Sequence, residues 1–324
     1  MSNKGLKRIV IVLSVLVIIF PLTTVGMMYY KLNSMYDSTT DDDIFGSEDY
    51  KSEKGITNIL LCGTDARPGE TSSRTDAMMI LTVDGINKSL KLTSLARDTY
   101  VTNSKGSMKL TEAHAYGGMN LLTESIEENF EIDIQNYALV DFYSFMDIID
   151  TLGGITVEVK ENELSELNKF ITETHAFNTN PDKGSIEYIN SSGEQKLNGY
   201  QALSYARIRK GSSGGTEERD RRQREVIEGL MMGVKDLSIT KYPSLLDTIL
   251  PYVKTNMKPL GIIDIAGSIL KIGNFDITQM EFPINDGVLA KNDRINGKAV
   301  ITFSPDSISI LHDFIFDDII YQNN

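Results

Sequence analysis

An uncharged apolar run near the start of the chain restricts its possible folds more than any other feature. The run spans Ile9–Tyr30, and Lys4, Lys7 and Arg8 precede it. A bilayer core needs roughly 20 apolar residues in a helix, and basic flanking residues stay on the cytoplasmic side. The run therefore predicts a single-pass type II protein of the cell membrane, with the rest of the chain extracellular.

Two other interpretations of this run remain. It could be a cleaved signal peptide, although it is long for one and no A-x-A-like cleavage site follows it. It could also be a buried core helix, but such a helix would not usually start at residue 9 behind a basic cluster. Pro21 lies inside the run and is tolerated in a membrane helix. The charge pattern favours the anchor.

The remaining chain divides by composition. We assign residues 1–8 to a cytoplasmic tail, 9–30 to the anchor, 31–55 to an acidic extracellular linker, 56–236 to a core domain, and 237–324 to C-terminal helices and a closing strand packed on that core. The acidic run Asp41–Asp43 in the linker lacks the spacing of an EF-hand. A solvated stalk explains it better than a calcium site.

Composition excludes some classes of function. The formal net charge is −13, which argues against a nucleic-acid partner because phosphate backbones attract basic surfaces. The single cysteine, Cys62, lies in the apolar run "NILLC" and is expected to be a buried core thiol. His114, His175 and His312 are far apart in the sequence and show no zinc-ligand spacing.

Strand-like and helix-like runs alternate after residue 56. "AMMILTV" and "SLKLTSL" are joined by the turn-like "DGINK", which predicts a β-hairpin. Apolar residues at helical spacing predict a helix in "GGMNLLTESIEENF" and another in "YSFMDIIDTL", and the strand "YALVDF" lies between them. This alternation, with a hairpin at its start, predicts an α/β fold with three layers, α/β/α, and a mixed central sheet. We expect Thr172–Leu197 to be irregular surface.

Charged residues flank the predicted hairpin. Arg74 and Asp76 lie at its start, and Arg97 and Asp98 follow its second strand. Because hairpin ends are neighbours, these side chains should meet at one edge of the sheet. Surface salt bridges, worth about 0–1 kcal/mol each, are one explanation. Clamps for an anionic ligand are the other, since arginine binds phosphate with two donors.

An arginine-rich helix is predicted near residue 220. Its buried face is defined by four apolar residues, Val226, Ile227, Leu230 and Val234. Extended backwards at helical spacing, this face passes through Gln223, Arg222 and Arg219, whereas Arg221 falls on the solvent side. Inward arginines near a helix N-terminus favour a phosphate-like ligand. Buried salt bridges are the alternative.

Several short motifs carry a resemblance to a known family. They are "NILLCGTDARPGE", "SRTDAMMI", "LARDTYV", "KLTEAHAYGG", "DTLGGITVEV", "LNGYQALSYARIR" and "RDRRQREVI", and they occur in this order between Ile56 and Val234. The ordered set, behind a type II anchor, resembles the LytR-CpsA-Psr family of membrane-anchored glycopolymer transferases.

The resemblance implies an activity on the outer face of the membrane, mainly in Gram-positive bacteria. The substrate would be an anionic glycopolymer, such as wall teichoic acid or capsule, on a polyprenyl pyrophosphate carrier. The polymer would be transferred as a phosphodiester to peptidoglycan, with release of polyprenyl phosphate. Residues 56–236 would be the catalytic part. A hydrophobic pocket in their α/β/α core would take the lipid tail.

The resemblance also implies roles for individual residues. Asp65 and Asp76 would hold Mg²⁺ (or Mn²⁺), and the pyrophosphate would be bound by Arg74, Arg97, Arg207, Arg209, Arg219 and Gln223. To these the helical pattern adds Arg222. We expect Arg97 and Asp98 to be catalytic, Asp98 as a free carboxylate that serves as base or orients one. The sequence departs from the family pattern at Thr111 and Thr216, where Asn and Asp are frequent.

Two other functions are compatible with the same residues. With water as acceptor, the site would make a polyprenyl-pyrophosphate hydrolase. A non-catalytic regulator of the cell envelope is the second alternative, although the segment before Ile9 is too short to hold a DNA-binding fold.

Overall fold

The computed structural model describes residues 29–40, 45–46, 50–64, 73–178, 180, 183–208, 215–236, 238, 247, 250, 253–273 and 276–321. Most of the predicted anchor lies outside these ranges, as do Asp65 and Arg209. Within the described ranges, no helix has the length and apolar character needed to cross a bilayer.

Strands and helices alternate along the described chain. The strands are β1 (Ile56–Thr64), β2 (Thr75–Asp84), β3 (Ser89–Leu95), β4 (Tyr100–Asn103), β5 (Gly106–Lys109), β6 (Asn136–Asp141), β7 (Ile155–Val159), β8 (Gly193–Leu197), β9 (Ile277–Phe282), β10 (Ala290–Ile295) and β11 (Lys298–Phe303). The helices are α1 (Leu110–Phe130), α2 (Phe142–Leu152), α3 (Leu164–Phe177), α4 (Gly199–Arg207), α5 (Gly215–Asp236), α6 (Pro259–Ile272) and α7 (Pro305–Asp317). A 3₁₀ turn, Glu161–Glu163, precedes α3.

The central sheet is mixed, as predicted. Its strand order is β6-β1-β2-β3-β9. The hairpin β2–β3 pairs Asp84 with Ser89 across its turn, and β1 runs antiparallel to β2. The outer strands β6 and β9 run parallel to their neighbours β1 and β3. The ends of β1 and β6 and the charged ends of the hairpin therefore lie at one edge of the sheet.

Helices cover both faces of this sheet. On one face, α1 and α7 pack on Leu60 and Ile80. On the other, α5 and α6 pack on Ile59, Leu81 and Leu92. Because successive strand residues point to opposite faces, the nearly continuous apolar runs of β1 and β2 supply both cores. A further cluster joins α2, α3 and α4 to the separate sheet β7–β8.

The structure contains features that the sequence pattern did not predict. The segment Thr172–Leu197, expected to be irregular, contains the end of α3 and the strand β8. β7 pairs with β8 outside the central sheet, since Ile155–Val159 lies opposite Gly193–Leu197. The hairpin β10–β11 was not anticipated. β10 is short and largely exposed, so its apolar pattern is weak.

Candidate active site

A large cavity opens between the second face of the sheet and helices α2 to α5. Its volume is about 1040 Å³. Its walls are mainly apolar and come from the sheet (Leu61, Met79, Ala138, Val140), α2 (Phe142, Phe145, Ile148), α3 (Phe170, Phe177), α4 (Leu203, Ala206) and α5 (Val226, Ile227, Leu230). The polar lining comprises Asp76, Asp141, Glu173, Arg207, Arg219 and Gln223. An apolar interior with a few charged groups is typical of a ligand site.

The charged ends of the hairpin meet at this cavity, as the sequence predicted. Arg97 Nη1 donates to Asp76 Oδ1 at 2.5 Å. Thr111, at the start of α1, connects both ends: its hydroxyl donates to the carbonyl of Thr75 at 2.7 Å, and its N–H donates to the carbonyl of Arg97 at 3.0 Å. The threonine that departs from the family pattern therefore supports the backbone beneath the site.

Asp98 is not the free carboxylate that the sequence suggested. Lys109 Nζ donates to its Oδ1 at 2.8 Å, and Arg97 Nε lies 3.9 Å from its Oδ2. The side chain is 28% exposed. The expectation was wrong because Lys109 ends β5 and pairs with Tyr100 of β4, so the hairpin β4–β5, which was not predicted, brings its ammonium group to Asp98.

Three predicted ligand residues lie at or beyond the limits of the described site. Arg74 is described and exposed at the start of β2. Asp65 and Arg209 fall outside the described residues. Thr64, the residue before Asp65, pairs with Thr75 on one side and with Asp141 on the other. Thr64 therefore ends β1 at the edge of the sheet where Asp76 lies.

Arg219 and Gln223 line the cavity from one face of α5, as predicted. Arg219 is buried and donates through Nε and Nη2 to Asp220 Oδ1 at 3.4 and 3.2 Å. Burial raises the pKa of Asp220, although Arg219, Arg224 and Arg97 act to lower it. Asp220 could not be recognised from the sequence, because an acidic residue within an arginine-rich helix resembles an ordinary surface pair.

Arg222 does not point into the cavity, and this prediction was wrong. Its side chain is fully buried, and Nη1 donates to the equally buried Glu163 at 2.8 Å. Nη2 donates to the carbonyl of Ile208 at 2.7 Å. One residue of helix turns a side chain by about 100°, which directs Arg222 away from Gln223 and towards the layer of α3 and α4. The buried salt bridge is the correct interpretation here.

Arg221 is less exposed than expected, and Arg224 on the same helix is also partly buried. The side chain of Arg221 is 22% exposed and contacts Glu218, Glu225 and Glu163. Arg224 Nε donates to Gln279 of β9 at 3.2 Å, and burial lowers the pKa of Arg224. Both arginines therefore hold α5 against its neighbours.

Arg207 lies at the cavity wall in a cage of aromatic rings. Its guanidinium carbon is 5.0 Å from the Phe170 ring centroid, 5.5 Å from that of Phe177 and 5.9 Å from that of Phe142. Nη1 also donates to Thr174 at 3.1 Å. Cation–π contacts at these distances hold an arginine in place, and Arg207 Nη2 also lies 3.8 Å from Glu173 Oε2. Sequence analysis missed the cage because α3 was not identified.

A close approach between α4 and α2 fixes the position of Arg207. A Cβ at Gly199 would lie 2.2 Å from the carbonyl oxygen of Met146, so only glycine fits at this contact. Gly199 N–H also donates to Asp150 Oδ1 at 2.7 Å. The "LNG" segment therefore locks the start of α4 onto α2, and α4 ends at Arg207.

Of the two predicted metal ligands, Asp76 lies among the described residues. Asp76 supplies a carboxylate at the cavity, a hard oxygen donor that suits Mg²⁺. The described residues contain no cluster of three or more His, Cys, Asp or Glu side chains able to hold a metal ion. Magnesium commonly uses only one or two carboxylates together with substrate phosphates, so Asp76 fits that mode of binding.

Fold and site together define a class of protein. A mixed α/β fold borders a large, mainly apolar cavity whose polar lining combines Arg207, Arg219 and Gln223 with the carboxylates of Asp76, Asp141 and Glu173. The apolar walls and the two arginines suit a ligand with an apolar body and an anionic head. The sequence profile of the LytR_cpsA_psr family matches residues 22–312. The chain belongs to this family. The match continues beyond Val234, because β9 and α7 are integral to the fold.

Named relatives agree with this assignment. A relative from Bacillus licheniformis, named polyisoprenyl-teichoic acid–peptidoglycan teichoic acid transferase TagU, is 33% identical over 266 residues, which cover 79% of this chain and 80% of that protein. The structure described as TagT bound to LI-WTA superposes with a TM-score of 0.64 and 23% identity over 85% of this chain and 95% of that one. A structure of the family protein YwtF (TagT) with bound octaprenyl pyrophosphate lipid superposes with a TM-score of 0.62 and 21% identity. The match covers 85% of this chain and 95% of that one.

Proposed function

We propose that this protein is a phosphotransferase that moves an anionic glycopolymer from a polyprenyl pyrophosphate carrier to peptidoglycan. One observation carries the proposal: an apolar cavity of about 1040 Å³ is bordered by Arg207, Arg219, Gln223 and Asp76. The apolar walls suit a polyprenyl chain, and the arginines suit the pyrophosphate. The names of the TagU relative and of the lipid-bound TagT structure support the same substrate class.

The arginines bind and polarise the pyrophosphate in this proposal. Arg219 is held by Asp220, and Arg207 is held by its aromatic cage. Both are therefore oriented before the substrate arrives, which lowers the cost of reorganisation during the reaction. Arg97, oriented by Asp76, faces the same charge from the hairpin side. Arg74 and Arg209 complete the predicted set.

The reaction exchanges one phosphorus–oxygen bond for another. A hydroxyl oxygen of the acceptor sugar attacks the phosphorus next to the polymer, and the bond from that phosphorus to the bridging oxygen breaks. Polyprenyl phosphate leaves with the electron pair. Positioning and electrostatic stabilisation supply most of the catalysis in such a transfer. The hydroxyl proton passes to a base, for which Asp98, beside Arg97 and Lys109, is the proposed residue.

Asp76 and Asp65 are the proposed ligands of a magnesium ion. Bound there, the ion would neutralise charge on the pyrophosphate oxygens. Independently of the ion, Asp76 orients Arg97 through their direct hydrogen bond.

The proposed location is the outer face of the cell membrane, with Ile9–Tyr30 as a type II anchor. The charge pattern around this run supports the proposal. An extracellular site would meet both the lipid-linked polymer and peptidoglycan.

A product analysis tests the proposal. The purified full chain is incubated with a polyprenyl-pyrophosphate-linked glycopolymer, with and without a peptidoglycan acceptor. We expect polyprenyl phosphate and polymer joined to peptidoglycan, both dependent on the acceptor. Equal release of polyprenyl phosphate without acceptor would identify a hydrolase instead. No release under either condition would favour a non-catalytic regulator.

A further inference from the structure

Helix α6 is apolar on two opposite sides. Ile265, Ile269 and Ile272 pack inward against the central sheet. Leu260 and Leu270 are nevertheless 70% and 69% exposed on the other side. Only Asp264 and Lys271 carry charge in the whole helix. A helix with apolar residues all round is normally covered on every side.

The exposed apolar residues of α6 form a single face. Leu260, Ile263 and Leu270 lie three and seven residues apart, which aligns them along the helix, and Ile263 is 41% exposed. We call this the Leu260–Leu270 face. Asp264 and Lys271, also seven residues apart, follow one rim of it. Contiguous exposed apolar surface, unlike scattered apolar residues, marks an interaction site.

The segment that follows the predicted anchor is tied to the chain just before α6. Asp37 N–H donates to the carbonyl of Thr255 at 2.8 Å, and Thr255 N–H donates to the carbonyl of Met35 at 2.9 Å. Thr255 also donates to the carbonyl of Tyr137 in the central sheet. The outer end of the predicted anchor and the start of α6 at Pro259 are therefore held close together on the fold.

We propose that the Leu260–Leu270 face lies on the outer surface of the membrane bilayer. An interfacial helix buries its apolar side roughly 5–10 Å into the boundary between headgroups and acyl chains. Lys254, Lys258 and Lys271, all exposed, would meet anionic headgroups at its rim. The inference rests on the proposed membrane location. It adds a second contact to the anchor, which fixes how the cavity is oriented towards the bilayer that holds the lipid carrier.

Fluorescence quenching in vesicles tests this contact. The full chain carrying Ile263→Cys is labelled with an environment-sensitive dye and reconstituted into phosphatidylethanolamine–phosphatidylglycerol vesicles that contain a spin-labelled lipid. The native Cys62 is buried, and burial raises the pKa of its thiol, so it stays unlabelled. The matched control is Val288→Cys, an apolar residue that is 85% exposed and follows the other end of β9. We expect several-fold stronger quenching at position 263 than at position 288.

The outcomes separate the face from the anchor. If the protein stays with the vesicles after an alkaline wash but position 263 is quenched no more than position 288, the anchor holds and the proposed contact is wrong. If the protein washes off, the membrane location itself fails. A blue-shifted dye at position 263 before any vesicles are added would mean that protein covers this face, either residues 237–252 or a second copy, and would also overturn the proposal.

A surface variant gives a second readout. Leu260→Ser with Leu270→Ser should leave the thermal unfolding temperature nearly unchanged, because both side chains are exposed. Turnover of a lipid-linked donor should fall several-fold in vesicles and stay unchanged in detergent, where no bilayer orients the cavity. If the double variant matched the parent's turnover in vesicles as well as in detergent, and position 263 was still quenched, the inference would be contradicted.

Discussion

Replacing either of two arginines that lie three residues apart on α5 by alanine should affect different properties of the protein. Arg219 lines the cavity and is held by Asp220. Arg222 is fully buried between Glu163 and the carbonyl of Ile208. Since only the first can reach a ligand in the cavity, we expect Arg219→Ala to reduce activity and Arg222→Ala to reduce stability.

The expected magnitudes follow from these contacts. Losing one charged hydrogen-bond donor to a buried phosphate costs about 1.5–3 kcal/mol, or about ten- to a hundredfold in turnover. Breaking a buried ion pair costs about 3–5 kcal/mol. Arg221 Nη2 also contacts Glu163 Oε1 at 2.8 Å, so Arg222→Ala should fall at the lower end. Such a loss lowers Tm by about 6–12 °C in a domain of this size.

Arg221→Ala is the matched control. It removes a neighbouring arginine with the same charge, but Arg222 continues to pair with Glu163. Its three ion pairs are worth about 0–1 kcal/mol each, so its turnover should change little and its Tm should fall less than that of Arg222→Ala. The assays are release of polyprenyl phosphate from a lipid-linked donor and thermal unfolding of each purified full-length variant. If Arg222→Ala kept its Tm and lost as much turnover as Arg219→Ala, the assignment of Arg222 to a structural ion pair would have to be abandoned.

Four further outcomes are expected. Asp76→Asn should lower turnover about ten- to a hundredfold and weaken its dependence on added Mg²⁺; unchanged magnesium dependence would argue against a metal at this position. Ala138→Phe should fill the cavity and raise KM for long-chain donors more than for short ones, whereas Ala299→Phe, at an exposed position, should not; equal effects would remove the lipid tail from this cavity. In Asp84 the burial that raises the pKa is outweighed by hydrogen bonds from Lys91 and Asn87, so its pKa is lowered; the stability it contributes is present above the unfolded pKa of about 3.9 and lost as pH falls further. Asp84→Asn should therefore lower the free energy of unfolding in urea at pH 7, and the difference between variant and parent should shrink in acid. A difference that is independent of pH would refute this. Protease added to intact protoplasts should degrade the part after Tyr30, and protection would contradict the extracellular location.

The sequence predicted those parts of the fold that depend on local pattern. The hairpin β2–β3 was visible because two apolar runs flank a turn, and the meeting of Asp76 with Arg97 follows from hairpin geometry alone. The mixed sheet followed in the same way. The hairpin β10–β11 was missed because most of Ala290–Ile295 is exposed, which leaves no apolar alternation to detect.

The site was predictable only where one helix face or one hairpin determined it. Arg219 and Gln223 lie on the helix face that the apolar pattern predicted. The same pattern could not exclude Arg222 from this face, because its partner Glu163 comes from a distant 3₁₀ turn. The pairing of Asp98 with Lys109 and the ring cage around Arg207 likewise depend on partners from other elements. Such contacts depend on how the elements pack, and a pattern within one segment contains no information about that.

The pairing of β9 with β3 has a consequence for when the site can form during synthesis. Ile277–Phe282 is made long after β3, yet it forms an outer strand of the central sheet beside β3. Its last residue accepts a hydrogen bond at 2.8 Å from the N–H of Ala96, next to Arg97. Until this segment emerges, one edge of β3 is unpaired, and an open edge invites pairing with other chains. A nascent chain therefore carries a vulnerable edge on β3 until residues 277–282 have emerged, and the backbone next to Arg97 gains its contact with Phe282 only then.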